Sequence, residues 1–376
     1  MLFRHRPICS SAVLAAALVS LVPLAAQSGP GSLKINQIQV IGTHNSYHAG
    51  IAPSAAKLMA EKNPKGFAGL DYRHHPLPAQ LDAGVRQIEL DVYADTKGGL
   101  YAHPLGPQMV AKAGLPADPD FDPNGVMEKP GFKVMHMQDV DYRSVCQPFT
   151  ECLKQVRAWS HAHPNHVPIF ILIETKQDKP QPYQRAVPEP FTPVVFDALD
   201  AEIRSVFPPS EIIVPDDIRG TYDTLNQAVL ADNWPTLDQA RGKVVFLMDQ
   251  LPMEPIYLVG HPSLRGRVLF TNSTVGQPDS AFVERNEGPI DDINALVRQG
   301  YLVRTRTDEP TNDARTNNTA KRDAFMASGA QFLSTDYPSN EPARWEGHYV
   351  VEFPGNVPAR CNPVTAPPTC TQAWIK

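Results

Sequence analysis

Past the N-terminal segment, apolar residues gather into eight short runs: Ile38–Gly42, Gln87–Val92, Phe132–Met137, Pro168–Ile173, Lys243–Met248, Val268–Thr271, Leu302–Thr305 and Gln331–Ser334. Most are nearly continuous in Val, Ile, Leu, Phe or Met, as expected of parallel strands covered on both faces. Helical spacing lies between many of them. It is short at Ala79–Ala83. Over Phe149–His163 it is carried by Leu153, Val156 and Trp159, and over Phe196–Phe207 by Phe196, Leu199, Ile203 and Phe207. Asp291–Gln299 and Thr319–Ser328 precede the last two runs, with Gly300 and Gly329 placed to stop them. Repeated strand–helix alternation predicts an α/β fold, a (β/α)₈ TIM-type barrel with insertions after strands 2 and 4. An open doubly wound sheet is the alternative, but the first strand has no glycine-rich phosphate loop after it.

The predicted organisation is a secretory signal over 1–26, a barrel over 27–340 and a Pro-rich extension over 341–376. Arg4 and Arg6 precede an apolar stretch from Val13 to Ala26 that ends in Leu24-Ala25-Ala26. That stretch is short of the ~20 apolar residues a membrane span needs and reads as a cleavable signal, hence export to the periplasm or the medium. With Cys9 removed, Cys146, Cys152, Cys361 and Cys370 remain. Three pairings are open. Cys146–Cys152 and Cys361–Cys370 are favoured because each pair is close in sequence. No Cys-x-x-Cys spacing suggests zinc.

The formal net charge is −6, with 20% charged residues and no basic stripe, so nucleic acid is not an expected partner. The chemistry collects where the runs end. The first gives His44 and Asn45, the second Glu89 and Asp91, the third His136, and the fourth Glu174 and Lys176. Later runs add Asp249, then Arg304, Arg306 and Asp308, then Asp336. In a barrel these side chains converge on one mouth, and clustered carboxylates need a cation. Asn45, Glu89, Asp91 and Glu174 are all oxygen donors, the set preferred by Ca²⁺ or Mg²⁺. Two imidazoles beside such an ion suit phosphodiester cleavage. His44 is one of them, and the second is His136 or its competitor His103. No Gly-x-Ser-x-Gly elbow, P-loop or nicotinamide fingerprint is present.

Gly-Thr-His44-Asn45-Ser-Tyr, Ile-Glu89-Leu-Asp91-Val-Tyr, Lys-Val-Met-His136-Met and Ile-Leu-Ile-Glu174 resemble the catalytic half of phosphatidylinositol-specific phospholipases C, especially the calcium-dependent bacterial branch. Gly-Ala-Gln-Phe-Leu-Ser-Thr-Asp336-Tyr-Pro is similar to the last strand of the wider phospholipase C-like phosphodiesterase superfamily. The resemblance covers about residues 35–340. It implies a distorted barrel, one Ca²⁺ held by Asn45, Glu89, Asp91 and Glu174, and catalytic His44 and His136. The implied reaction cleaves phosphatidylinositol at a membrane surface to diacylglycerol and a cyclic inositol phosphate. His44 would stabilise the phosphorane and His136 protonate the glycerol oxygen. One of Glu89, Asp91 or Glu174 would be the base, with Glu174 favoured. Lys176, Arg304 and Arg306 are candidate phosphate or inositol contacts. The expected assembly is a monomer. The alternatives are a glycerophosphodiester phosphodiesterase on the same barrel and a non-catalytic exported headgroup-binding protein.

Overall fold

The computed structural model describes residues 1–2, 29–182, 184–308 and 311–376. The expected signal over 1–26 therefore lies almost wholly outside the described residues. In chain order the strands are β1 (Ile38–Thr43), β2 (Gln87–Tyr93), β3 (Lys133–Val134), β4 (Ile169–Thr175), β5 (Ile212–Ile213), β6 (Val244–Met248), β7 (Leu269–Thr271), β8 (Phe282–Glu284), β9 (Leu302–Arg306), β10 (Phe332–Thr335) and β11 (Ala359–Cys361).

Eight of them form a ring of parallel pairings. From β1 it runs through β2, β4 and β6 to β7, and from β1 the other way through β10 and β9 to β8. A single bridge between Asn272 and Phe282 joins the two arms. The result is a distorted TIM-type barrel, and the closed ring removes the doubly wound alternative. The distortion has a local cause. One edge of β2 pairs with β4 from Gln87 to Val92, but the other is divided between β1 at its base and antiparallel β3 at its top. The free edge of β6 is divided likewise between β5 below and β7 above. β11 lies antiparallel on β1 and carries the Cys361–Cys370 disulfide of the tail. The Cys146–Cys152 disulfide closes the other expected local pair.

Two sequence expectations need correction. The run Phe132–Met137 is not a barrel stave. Only Lys133 and Val134 pair, against the top of β2, and His136 sits in the loop beyond them. The missing stave is β8, three residues long. Glu174 therefore ends the third stave of the barrel, not the fourth. The predicted helices appear at Leu77–Asp82, Phe149–Ala162, Pro193–Val206, Ile290–Arg298 and Ala320–Ala327. Helices at Pro53–Lys62, Pro64–Gly69 and Leu105–Lys112 add to the rim. Gly300 adopts φ 98°, and a Cβ there would meet Val229 O at 2.6 Å, so only glycine suits this turn.

Strand alternation sorts the interior into layers. At the floor Phe170 of β4 lies 4.4 Å from Phe332 of β10, centroid to centroid, and Phe282 of β8 lies 6.1 Å from Phe332. One pleat repeat up, the same faces carry Glu89, Glu284, Arg304 and Ser334. Above these come Asp91, Glu174 and Arg306. Aromatic rings thus fill the floor beside the buried Gln87, while the carboxylates and guanidinium groups stack toward the C-terminal mouth.

Candidate active site

The mouth begins at the end of β1. The His44 amide donates to Thr335 O (3.0 Å), continuing the parallel pairing, and the chain then turns at Asn45 with φ 47°. Asparagine is among the few residues that take this left-handed conformation readily. Its Nδ2 donates to Tyr72 Oη (2.8 Å) and its Oδ1 accepts from Tyr47 Oη (3.2 Å). Ser46 ties the turn to the next stave: its amide donates to Glu89 O (3.0 Å), and its Oγ accepts from the Glu89 amide (2.8 Å).

Asp91 and Glu174 stand side by side in the β2–β4 register. With Glu89 they offer three carboxylate oxygens within 4.8 Å of one another. Both oxygens of Asp91 are buried without a hydrogen-bond donor; Lys176 Nζ meets Oδ2 as an ion pair at 3.2 Å and accompanies Glu174 Oε1 at 2.8 Å. Arg304 Nη2 lies 2.5 Å from Glu89 Oε2, and its Nη1 lies 3.3 Å from Glu284 Oε2. Burial pushes the Glu89 carboxyl up to about 7, against the pull of Arg304. Burial and the neighbouring Glu174 push Asp91 well above the usual carboxylate range. Glu174 is held below its ordinary value because Lys176 outweighs its burial. Asp249 is pushed up by burial and by Glu284. Hard oxygens, undersatisfied and crowded, fit a divalent cation of the Ca²⁺ or Mg²⁺ type.

The two imidazoles have matching anchors. His44 Nδ1 donates to Asp336 Oδ1 (2.8 Å) and His136 Nδ1 to Asp141 Oδ2 (2.8 Å). Each ring is about one-fifth exposed, and His44 Nε2 lies 3.8 Å from Glu89 Oε1. Burial and Arg306 push the His44 imidazole down to about 3, only partly opposed by Asp336. Burial alone would raise Asp336, but His44 and Arg306 hold it at about 2. Burial would likewise raise Asp141, but His48 and His136 hold it well below the usual range. His48 Nε2 shares Asp141 at 2.9 Å, fully buried.

The loop carrying His136 is built to deliver that contact. Met137 and Asp141 exchange backbone hydrogen bonds (2.9 and 3.0 Å), and Tyr93 Oη donates to His136 O (3.0 Å). Asp139, at φ 73°, accepts from the amides of Leu105, Arg185 and Ala186, stapling both insertions to this loop. His103 is elsewhere. Its side chain is 79% exposed and pairs with Glu128 on the surface. Arg304 and Arg306 are 2% and 3% exposed and engaged by Glu89, Glu284 and Asp336, so they lie behind the carboxylates rather than on the open wall. Asp141 and Glu284 escaped sequence reasoning. The signal for Asp141 was a carboxylate five residues beyond His136, in a stretch read as leaving a strand.

The family model for Ca²⁺-dependent phosphoinositide phospholipase C matches residues 33–363. No curated protein matches the chain. Among solved structures, the chain is similar to a calcium-dependent phosphoinositol-specific phospholipase C from a Gram-negative Pseudomonas species in its apo form. Identity is 15%, covering 89% of this chain and 97% of that one, with TM-score 0.52. It is similar also to the myoinositol complex from the same source, at 14% identity, 89% and 100% coverage and TM-score 0.51. These two likenesses bear on the barrel.

Proposed function

The chain belongs to the Ca²⁺-dependent phosphoinositide phospholipase C family, and from that premise we propose that it cleaves phosphatidylinositol to diacylglycerol and a cyclic inositol phosphate. The single observation that carries the reading is the pairing of a three-carboxylate cluster with two carboxylate-anchored imidazoles in one barrel mouth. The myoinositol bound to the Pseudomonas protein supports the choice of headgroup.

Asn45, Glu89, Asp91 and Glu174 would hold the cation. When bound, it neutralises charge on the phosphate oxygens and lowers the pKa of a coordinated hydroxyl. The inositol 2-oxygen bonds to phosphorus while the bond from phosphorus to the glycerol oxygen breaks. Asp336 keeps the Nδ1 proton of His44 in place, so the neutral ring turns an Nε2 lone pair to the cleft. His44, with Nε2 3.8 Å from Glu89 Oε1 at the edge of the cluster, is therefore the acceptor for the 2-hydroxyl proton, while the Glu174 oxygens would be committed to the cation. Having taken that proton, the His44 imidazolium faces the charge growing on the phosphorane. His136, oriented by Asp141, donates an Nε2 proton to the departing glycerol oxygen. Lys176 is the cation nearest the open wall and the candidate phosphate contact. Arg304 and Arg306 set the charge of Glu89, Glu284 and Asp336 from behind.

Export is part of the proposal. The two local disulfides support it, since such bonds persist in oxidising compartments. Among the described residues no helix is long and apolar enough to cross a membrane. The test is phosphorus NMR of the products formed on phosphatidylinositol vesicles with calcium. A cyclic inositol phosphate is expected. Glycerol phosphate as the first product would transfer the chain to the glycerophosphodiester reading, and no turnover of any phosphodiester would leave only headgroup binding.

A further inference from the structure

Lys176 stands on the oxygens that a divalent cation would use. Its backbone is fixed, because its amide donates to Val92 O (2.9 Å) and prolongs the β2–β4 pairing by one residue. Its side chain is not fixed in the same way. Four methylenes carry the ammonium to Glu174 Oε1 at 2.8 Å and Asp91 Oδ2 at 3.2 Å, with 13% of the side chain exposed toward the mouth. The third carboxylate of the cluster, Glu89, is already held by Arg304. Two different cations thus offset most of the charge of the three carboxylates from within. Arg304 is locked between Glu89, Glu284 and Asn286. Lys176 is a strongly hydrated point charge on a flexible stem, and its ammonium meets Asp91 and Glu174, groups a metal would claim.

We infer that Lys176 is the resident counter-ion of the Asp91–Glu174 pair and is displaced when a divalent cation enters, so that the two exclude each other from the same oxygens. A unit charge and a double charge within a few ångströms, in a site this buried, repel too strongly to share them. Calcium affinity is then the intrinsic affinity of the oxygens reduced by the cost of ejecting the ammonium. The ejected ammonium has one direction to go, outward to the mouth, where the proposed substrate brings its phosphate. Cation binding and phosphate binding therefore assist each other through this side chain, and by linkage the assistance is mutual. The inference rests on the metal reading given above and adds to it a residue that opposes the metal until substrate arrives.

The test is calorimetric titration of the full chain with calcium, without substrate, for the wild type, Lys176→Met and Lys176→Arg. The inference expects Lys176→Met to bind calcium on the order of tenfold more tightly than wild type, and Lys176→Arg no more tightly. It expects inositol 1-phosphate to tighten calcium binding in the wild type and to lose that effect in Lys176→Met. If the wild type binds calcium and Lys176→Met binds it equally or less well, the inference is overturned and the metal reading stands. If neither binds calcium, the metal reading itself falls. Should Lys176→Met fold only when calcium is supplied, the exchange of one cation for the other is supported. Should it fold under neither condition, the wild type decides. The Lys176 ε-methylene resonance moves with calcium occupancy if the ammonium leaves, and a stationary resonance overturns the inference.

Discussion

Replacing Asp141 with Asn removes one charge and leaves the shape almost unchanged. In the wild type its two oxygens accept from both His136 Nδ1 (2.8 Å) and His48 Nε2 (2.9 Å), and all but about 1% of the side chain is buried. Asn keeps one acceptor and substitutes a donor for the other. One imidazole must then lose its partner or flip to the opposite tautomer. A hydrogen bond to a charged group contributes about 1.5–3 kcal/mol, and burying an unpaired polar group costs a similar amount. A net loss of roughly 2–4 kcal/mol is expected, which for a chain of this length lowers Tm by about 3–5 °C. The sign of the pH dependence follows from the depressed folded value of Asp141. Its stabilisation is complete above the ordinary carboxylate range near pH 4 and is lost as pH falls through the folded value. The gap between wild type and Asp141→Asn should therefore be full at pH 7 and narrow in acid. Turnover should fall on the order of 10²-fold or more, because His136 loses the carboxylate that orients the ring and balances its charge while it donates from Nε2. Urea melts at pH 7 and pH 3.5, with kcat measured at 25 °C on the folded variant, separate the two effects. A variant within twofold of wild-type kcat and within 1 °C of its Tm, as rough limits, would refute the role given to Asp141.

Other variants probe neighbouring parts of the mouth. Arg304→Met strands the buried Glu89 and Glu284 without their guanidinium, and should cost about 3–5 kcal/mol in a denaturant titration without metal. His136→Ala should lower kcat by about 10²–10⁴-fold, with a loss of stability no larger than that of Asp141→Asn because His48 still donates to Asp141. His103→Ala, altering an exposed surface pair, should change neither turnover nor melt, and a large loss there would reopen the choice between the two histidines.

Much of this was legible because barrel staves buried on both faces must be continuous apolar runs, and seven of the eight true staves announced themselves that way. Phe282–Glu284 did not, since only three residues pair and the last of them, Glu284, turns into the polar mouth. Phe132–Met137 misled for the opposite reason. Most of its apolar side chains are buried, but the β2 edge it reaches is shared with β1, so only Lys133 and Val134 pair with that strand in register. The carboxylate triad was readable because i, i+2 spacing and parallel register are local rules. What period and propensity could not supply was the company each charge keeps. Asp141 reaches His136 through a tight loop, Arg304 crosses the barrel from β9 to β2, and Lys176 folds back on the stave that carries it. Those contacts are tertiary, and a pattern along one strand does not encode them.

Anomalous diffraction from crystals grown with calcium, or with manganese as a stronger scatterer, tests the central claim most directly. The account predicts one strong peak at the C-terminal mouth, about 2.3–2.6 Å from oxygens of Glu89, Asp91, Glu174 and Asn45 for calcium. A fully loaded crystal with no density there, or with the ion bound at a different cluster, would contradict it.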